Sequence, residues 1–180
     1  MARVLVTGGV RSGKSRYAEA LLDPNAPAVY LTPGYPADST VDVEWAARVA
    51  AHQVRRPAAW RTIETLDLAR VIAAARSPVL VDCLGTWVTR LIDSWEAWET
   101  PVGDWLPTFD AEVSALTAAV AASQHVVLVS NEVGWGVVSE HRSARVFADQ
   151  LGRTNQAVAA VCDRVVLMVA GRPLVIDGAD

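Results

Sequence analysis

The sequence predicts an α/β fold: a mostly parallel sheet flanked by helices. Three observations lead there. Short apolar runs and stretches of helical periodicity alternate along the 180 residues. The runs are continuous in β-branched residues instead of alternating with polar ones, as in strands buried on both faces. Consecutive runs are separated by segments that read as crossover helices, which favours right-handed βαβ units.

Taken in order, Ala2–Thr7 (ARVLVT) reads as a first buried strand and Lys14–Leu22 (KSRYAEALL) as the helix after it. Ala28–Thr32 (AVYLT) is a second strand. Asp42–His52 (DVEWAARVAAH) has helical periodicity, with Asp42 placed to cap it. Leu66–Ala75 is a further helix, and Pro78–Asp82 (PVLVD) a third strand. Phe109–Ser123 is helical, with Thr108 as its cap. His125–Glu132 (HVVLVSNE) is a fourth strand, Ser143–Cys162 a long helix and Arg164–Ala170 a fifth strand. A turn at GRP then leads into a short final strand, Leu174–Ile176. The acidic, Trp-rich stretch Asp93–Trp105 fits no element and is expected to be an irregular excursion or an oligomer contact.

With 52% hydrophobic and 20% charged residues, the chain has a globular balance and enough apolar material for one domain spanning 1–180. No apolar run approaches the roughly 20 residues that a membrane span needs. The N-terminus enters a strand pattern directly, so a cytoplasmic, soluble protein is expected. Cys83 and Cys162 lie far apart without metal-type spacing and read as reduced core thiols. A net charge of -4 argues against a nucleic-acid binder.

One residue stands out in this composition. Lys14 is the single lysine, beside 15 arginines. It lies in GGVRSGKS, Gly8 to Ser15, which matches the phosphate-loop pattern G-x-x-x-x-G-K-[ST] between a buried strand and a helix. In this stretch Gly8, Gly9, Val10, Arg11, Ser12 and Gly13 can curl so that backbone N–H groups face phosphate oxygens, aided by the helix N-terminus. A flexible ammonium reaches between β- and γ-phosphates where a planar guanidinium is a poor substitute. Ser15 offers a hydroxyl to Mg²⁺. A chance Gly/Ser turn is the alternative. Such a loop needs a second acidic residue for the magnesium shell, and Asp82, closing a parallel strand, would face the same crevice. An ordinary strand-end Asp capping a turn competes with that role.

A second constellation follows the predicted helix ending at His52: Arg55, Arg56, Pro57, Trp60 and Glu64. Neutral imidazole is a competent nucleophile toward phosphorus, and nearby guanidiniums can hold the phosphates it attacks while keeping it neutral. Equally, a His at a helix C-terminus can be a simple dipole-compatible cap.

These pieces carry a family resemblance. TGGVRSGKSRYAE, H-x-x-R-R-P-x-x-W-R-T-x-E from His52 to Glu64, VSNEVGWGVV from Val129 to Val138, and the segment Ala148–Pro173 follow one another in the right order. Together they resemble the bifunctional adenosylcobinamide kinase / adenosylcobinamide-phosphate guanylyltransferase family of cobalamin biosynthesis. The resemblance implies a RecA-like P-loop fold, usually a homotrimer, and two reactions. ATP or GTP would phosphorylate the aminopropanol hydroxyl of adenosylcobinamide. GTP would then pass GMP through a histidine to the adenosylcobinamide phosphate. By position His52 would carry the GMP, while Gln53, Val54, Arg55, Arg56 and Glu64 would contact GTP and Asp82 would be the acidic strand-end residue. Thr32, Pro33 and Gly34 fall at a nucleotide-contacting loop, although the run from Leu31 to Trp45 departs from the family's shorter, Pro-free pattern. Corrinoid, Mg²⁺, ATP and GTP are the implied partners and cofactors.

The NEVGWG loop should open onto the same crevice, with Trp135 a flat surface for a bulky ligand or a packed Trp in a Gly-rich turn. The run SEHRSAR reads as a solvated helix start, and His125 as structural. Competing readings are another small-molecule P-loop kinase, a nucleotide switch, or a RecA-like DNA motor, the last disfavoured by charge and length.

Overall fold

The computed structural model of the chain describes residues 2–35 and 43–177. Its elements run β1 (Arg3–Gly8), α1 (Lys14–Ala20), β2 (Ala28–Thr32), α2 (Val43–Arg55), β3 (Trp60–Glu64), α3 (Leu68–Ala74), β4 (Val79–Asp82) and α4 (Leu84–Ser94). The chain continues with α5 (Val102–Ala122), β5 (Val126–Val129), α6 (Arg142–Ala159), β6 (Arg164–Val169) and β7 (Arg172–Asp177).

The seven strands form one sheet in the order β3-β2-β4-β5-β1-β6-β7. Every pairing is parallel except the β6–β7 hairpin. This is the expected mostly parallel α/β architecture, and both sheet faces are covered, as the continuous apolar runs require. On one face Leu5, Leu31, Val81 and Leu128 pack against Leu68 and Ile72 of α3, Trp87 and Val88 of α4, Leu116 and Val120 of α5, and Leu151 of α6. On the other, Val4, Val6, Tyr30, Leu80 and Val129 pack with Ala18 of α1 and with Leu22 and Trp60.

Register decides where chemistry can happen. Val6 on β1, Val129 on β5 and Asp82 on β4 are level across three adjacent strands. The carboxyl ends of these strands, and of β2 and β3 where Thr32 pairs Glu64, therefore share one edge of the sheet. The phosphate-loop strand and the acidic strand are separated by one strand, β5.

Several elements differ from the sequence reading. β3 and α4 were not anticipated. The helix expected from Phe109 starts instead at Val102, so Thr108 lies inside it and is no cap; Pro101 is the capping residue. Pro107 sits within that helix, where its ring forfeits one backbone bond. The expected Asp42 cap lies outside the described residues. The Trp-rich stretch is the corner between α4 and α5, and its rings are used within the chain. Trp105 is buried against Trp95 and Phe109, at centroid distances of 6.4 and 6.0 Å, and Trp98 donates its indole N–H to Asp93. Trp95 and Trp98 stay partly exposed at this corner.

Both cysteines are free thiols, as expected. Burial pushes both up, Cys162 to about 12. His125 is held below its ordinary value by burial, and His141 is an exposed residue at the start of α6.

Candidate active site

The loop from Gly8 to Ser15 spans the turn between β1 and α1, as its pattern requires. It is pinned from several sides. Ser12 N–H donates to the Gly9 carbonyl at 3.2 Å, and Gly171 N–H, in the β6–β7 turn, donates to the Ser12 carbonyl at 3.0 Å. Gly8 has φ +151°, and a Cβ there would lie 2.6 Å from the Met168 carbonyl oxygen and 2.8 Å from Ser12 Oγ. Only a glycine allows β1 to approach β6 this closely at its exit. Lys14 is buried, 8% exposed, with Nζ donating to the Gly9 carbonyl at 3.0 Å. Its ammonium is thereby folded back over the loop that it is expected to serve. Ser12 Oγ is buried without a hydrogen-bond partner among the described residues. Such an orphan at a phosphate loop is a group whose partner would arrive with a ligand. Ser15 is half-buried in the first turn of α1.

Asp82 closes β4 at the same edge. It accepts a hydrogen bond from Tyr30 Oη on neighbouring β2 at 2.7 Å. Burial, then the Asp82 charge, push the Tyr30 phenol far up, so it stays a donor. Above the Tyr30 ring lies the Arg56 guanidinium, 4.1 Å from the centroid, with Nη1 donating to Thr62 Oγ1 at 3.2 Å. A continuous line of contacts, Asp82–Tyr30–Arg56, therefore joins the acidic strand end to the chain just past α2. His52 lies on α2, one turn before its C-terminal end. Gln53 and Val54 on that helix are exposed. Glu64 is exposed at the carboxyl end of β3, level with Thr32. Pro33 and Gly34 are buried, and Arg90 of α4 donates to their carbonyls at 3.3 and 3.0 Å.

The NEVGWG segment does open at this edge. Its Trp135 is 76% exposed, alongside exposed Val137 and Val138, so it is not a packed core Trp. Gly134 takes φ +90°, a conformation that suits glycine. A cavity of about 360 Å³ lies between this loop and the phosphate loop, lined by Gly9 to Ser12, Glu132, Trp135 and Leu167 to Ala170.

Residue-type reasoning missed two members of this site. Tyr30 was only part of the second strand, with no role of its own, although a buried phenol signals a required partner. Glu132 was quoted inside its motif without a role. Its Oε1 accepts from Thr7 Oγ1 at 2.7 Å, and its N–H donates to the Gly8 carbonyl at 3.2 Å. No group of three or more His, Cys, Asp or Glu forms a metal cage among the described residues. Ser15 and Asp82 instead offer the hard oxygens that Mg²⁺ takes, usually one or two carboxylates with substrate phosphates completing the shell. The donor set at this edge fits that ion.

Comparison with known proteins gives the same direction. A family model described as cobinamide kinase / cobinamide phosphate guanyltransferase matches residues 4–176. The bifunctional adenosylcobalamin biosynthesis protein CobU of Escherichia coli (strain K12) is 40% identical over 178 residues, covering 93% of this chain and 96% of that protein. The protein of the same name from Salmonella typhimurium (strain LT2) is 41% identical over 179 residues, with 93% and 96% covered. The bifunctional adenosylcobalamin biosynthesis protein CobP of Pseudomonas aeruginosa (strain PAO1) is 38% identical over 182 residues, with 98% of each chain covered.

Proposed function

Because the chain belongs to the cobinamide kinase / cobinamide phosphate guanyltransferase family, we propose that it phosphorylates adenosylcobinamide and then converts the product to adenosylcobinamide-GDP. In the first reaction the aminopropanol hydroxyl attacks the γ-phosphorus of ATP or GTP. A new O–P bond forms and the nucleoside diphosphate leaves. In the second, a neutral His52 imidazole nitrogen attacks the α-phosphorus of GTP, pyrophosphate leaves, and GMP is held in a P–N bond. The phosphate of the corrinoid then attacks that phosphorus, breaking the P–N bond and leaving a diphosphate link.

The observation that carries this reading is the shared strand edge: the phosphate loop with Lys14, and Asp82 tied through Tyr30 to Arg56 just beyond the His52 helix. Gly8 to Ser15 supply the phosphate cradle, and Lys14 a charge between β- and γ-phosphates. Gln53, Val54, Arg55, Arg56 and Glu64 are assigned to the guanine nucleotide, as are Thr32, Pro33 and Gly34 at the end of β2. Ser15 and Asp82 would hold Mg²⁺, which neutralises charge on the phosphates when bound. Trp135, Val137 and Val138 form an exposed apolar shelf beside the loop, suited to the flat corrinoid body.

The reading extends to a homotrimer. The exposed apolar side chains Val169, Leu174, Val175 and Ile176 at the β6–β7 edge offer surface for subunit contact. It also places the enzyme in the cytoplasm, where nucleoside triphosphates are supplied and free thiols persist. No described helix is long and apolar enough to cross a membrane. The test is direct: purified protein, adenosylcobinamide, Mg²⁺ and GTP, with products resolved by chromatography and mass spectrometry. Sequential appearance of the corrinoid phosphate and the corrinoid-GDP supports the reading. Absence of both overturns it.

A further inference from the structure

We propose that Glu132 is the general base of the phosphoryl-transfer step, taking the proton from the corrinoid hydroxyl as it attacks. This deepens the kinase half of the function above and rests on that reading. The step balances simply. The hydroxyl O–H proton passes to a Glu132 carboxylate oxygen, the hydroxyl oxygen bonds to the γ-phosphorus, and the bond from that phosphorus to the β–γ bridging oxygen breaks. The electron pair leaves with the nucleoside diphosphate, and the proton is later lost to solvent.

Position supports the assignment first. Glu132 follows β5, the strand between the phosphate-loop strand and the Asp82 strand, and its N–H donates to the Gly8 carbonyl at the mouth of the loop. The cavity that Glu132 and Trp135 line is walled on its other side by Gly9 to Ser12 of the phosphate loop, so an acceptor held against Trp135 would meet a loop-bound nucleotide beside Glu132. Among that cavity's lining residues, Glu132 is the carboxylate and Arg11 the cation.

Division of labour supports it next. Asp82 is committed to Tyr30 Oη and, in the proposed function, to the metal. Glu132 is half-buried, and Thr7 Oγ1 occupies Oε1 at 2.7 Å. That bond fixes the carboxylate while Oε2 accepts no hydrogen bond among the described residues. A base held by one oxygen and open at the other is the arrangement that general-base catalysis uses. Orienting the Trp135 loop is a further consequence, since Val133, Gly134 and Trp135 follow Glu132 in the chain.

Glu132→Gln separates chemistry from structure, because the amide oxygen can still accept from Thr7 Oγ1 while the side chain can no longer take a proton at neutral pH. The measurement is phosphoryl transfer from γ-labelled ATP to adenosylcobinamide, over a pH series, with ADP binding followed by calorimetry. Expected is a fall in kcat of about 10²–10⁴-fold, loss of the acid limb of the pH profile, and little change in ADP affinity. A KM increase for the corrinoid with kcat and pH profile intact would reassign Glu132 to binding and overturn the proposal, as would wild-type kinetics. Wild-type protein that transfers no phosphate to the corrinoid would overturn the kinase reading itself, and this proposal with it.

Discussion

Tyr30 on β2 and Asp82 at the end of β4 are joined by a 2.7 Å hydrogen bond from phenol to carboxylate, and the Tyr30 ring carries the Arg56 guanidinium 4.1 Å above it. One buried aromatic thus couples the acidic residue beside the phosphate loop to the basic segment that follows the His52 helix. Tyr30→Phe keeps the ring and the cation contact and deletes the donor. A hydrogen bond to a charged group is worth about 1.5–3 kcal/mol. Unfolding stability in urea should fall by an amount in that range, and the Mg²⁺ concentration giving half-maximal rate should rise.

Lys14 is buried over the loop and is the chain's single lysine. Replacing it by alanine should lower the rate of phosphoryl transfer by about 10²–10³-fold, the scale of losing one preorganised transition-state donor. Lys14→Arg should not restore it, because the wider guanidinium has to fit where an 8%-exposed ammonium sits. Steady-state rates of the two variants check this, and full activity in the arginine variant would contradict the point-charge argument.

Gly8→Ala places a Cβ 2.6 Å from the Met168 carbonyl oxygen at a φ of +151°. Backbone atoms cannot yield as a side-chain tip can, so the loop or β6 must shift. A cost of about 1–3 kcal/mol is expected, with ADP affinity falling in parallel. Denaturation and an ADP titration measure both.

Away from the site, Arg3 binds Asp163 through its guanidinium and through its backbone N–H at 2.8 Å, holding the carboxyl at about 2, below the ordinary 3.8. The sign follows from linkage: a depressed carboxylate stabilises the fold above its unfolded value and loses that contribution as pH falls through the folded one. Asp163→Asn should therefore melt below wild type at pH 7, and the gap should narrow between about pH 4 and pH 2. Melting curves of both proteins across that window test it.

The strands of the inner sheet were legible because β1, β2, β4 and β5 are buried on both faces and write that directly as apolar runs, and β6, although buried on one face only, is apolar from Val165 to Val169. β3 was not, since Trp60-Arg61-Thr62-Ile63-Glu64 lies at the sheet edge and mixes charged, polar and apolar residues without a clean period of two. α4 carries a buried stripe at Leu84, Trp87, Val88, Leu91 and Ile92, the spacing of a helix face. Its start one residue after β4, with Gly85 in its first turn, hid that pattern. Pro107 masked the first turns of α5 in the same way. Within the site, the phosphate loop, Asp82 and the histidine segment are local in sequence and could be read there. Tyr30 and Glu132 could not be given roles, because their partners lie 52 and 125 residues away along the chain.

The central claim is that His52 carries GMP between GTP and the corrinoid phosphate. The decisive measurement is incubation of the protein with Mg²⁺ and GTP labelled at the α-phosphate, then denaturation and counting of retained label, with His52→Ala beside it. The account predicts label on the wild type that is labile in acid, stable in base and absent from the variant. No label, or label that persists in His52→Ala, would contradict it.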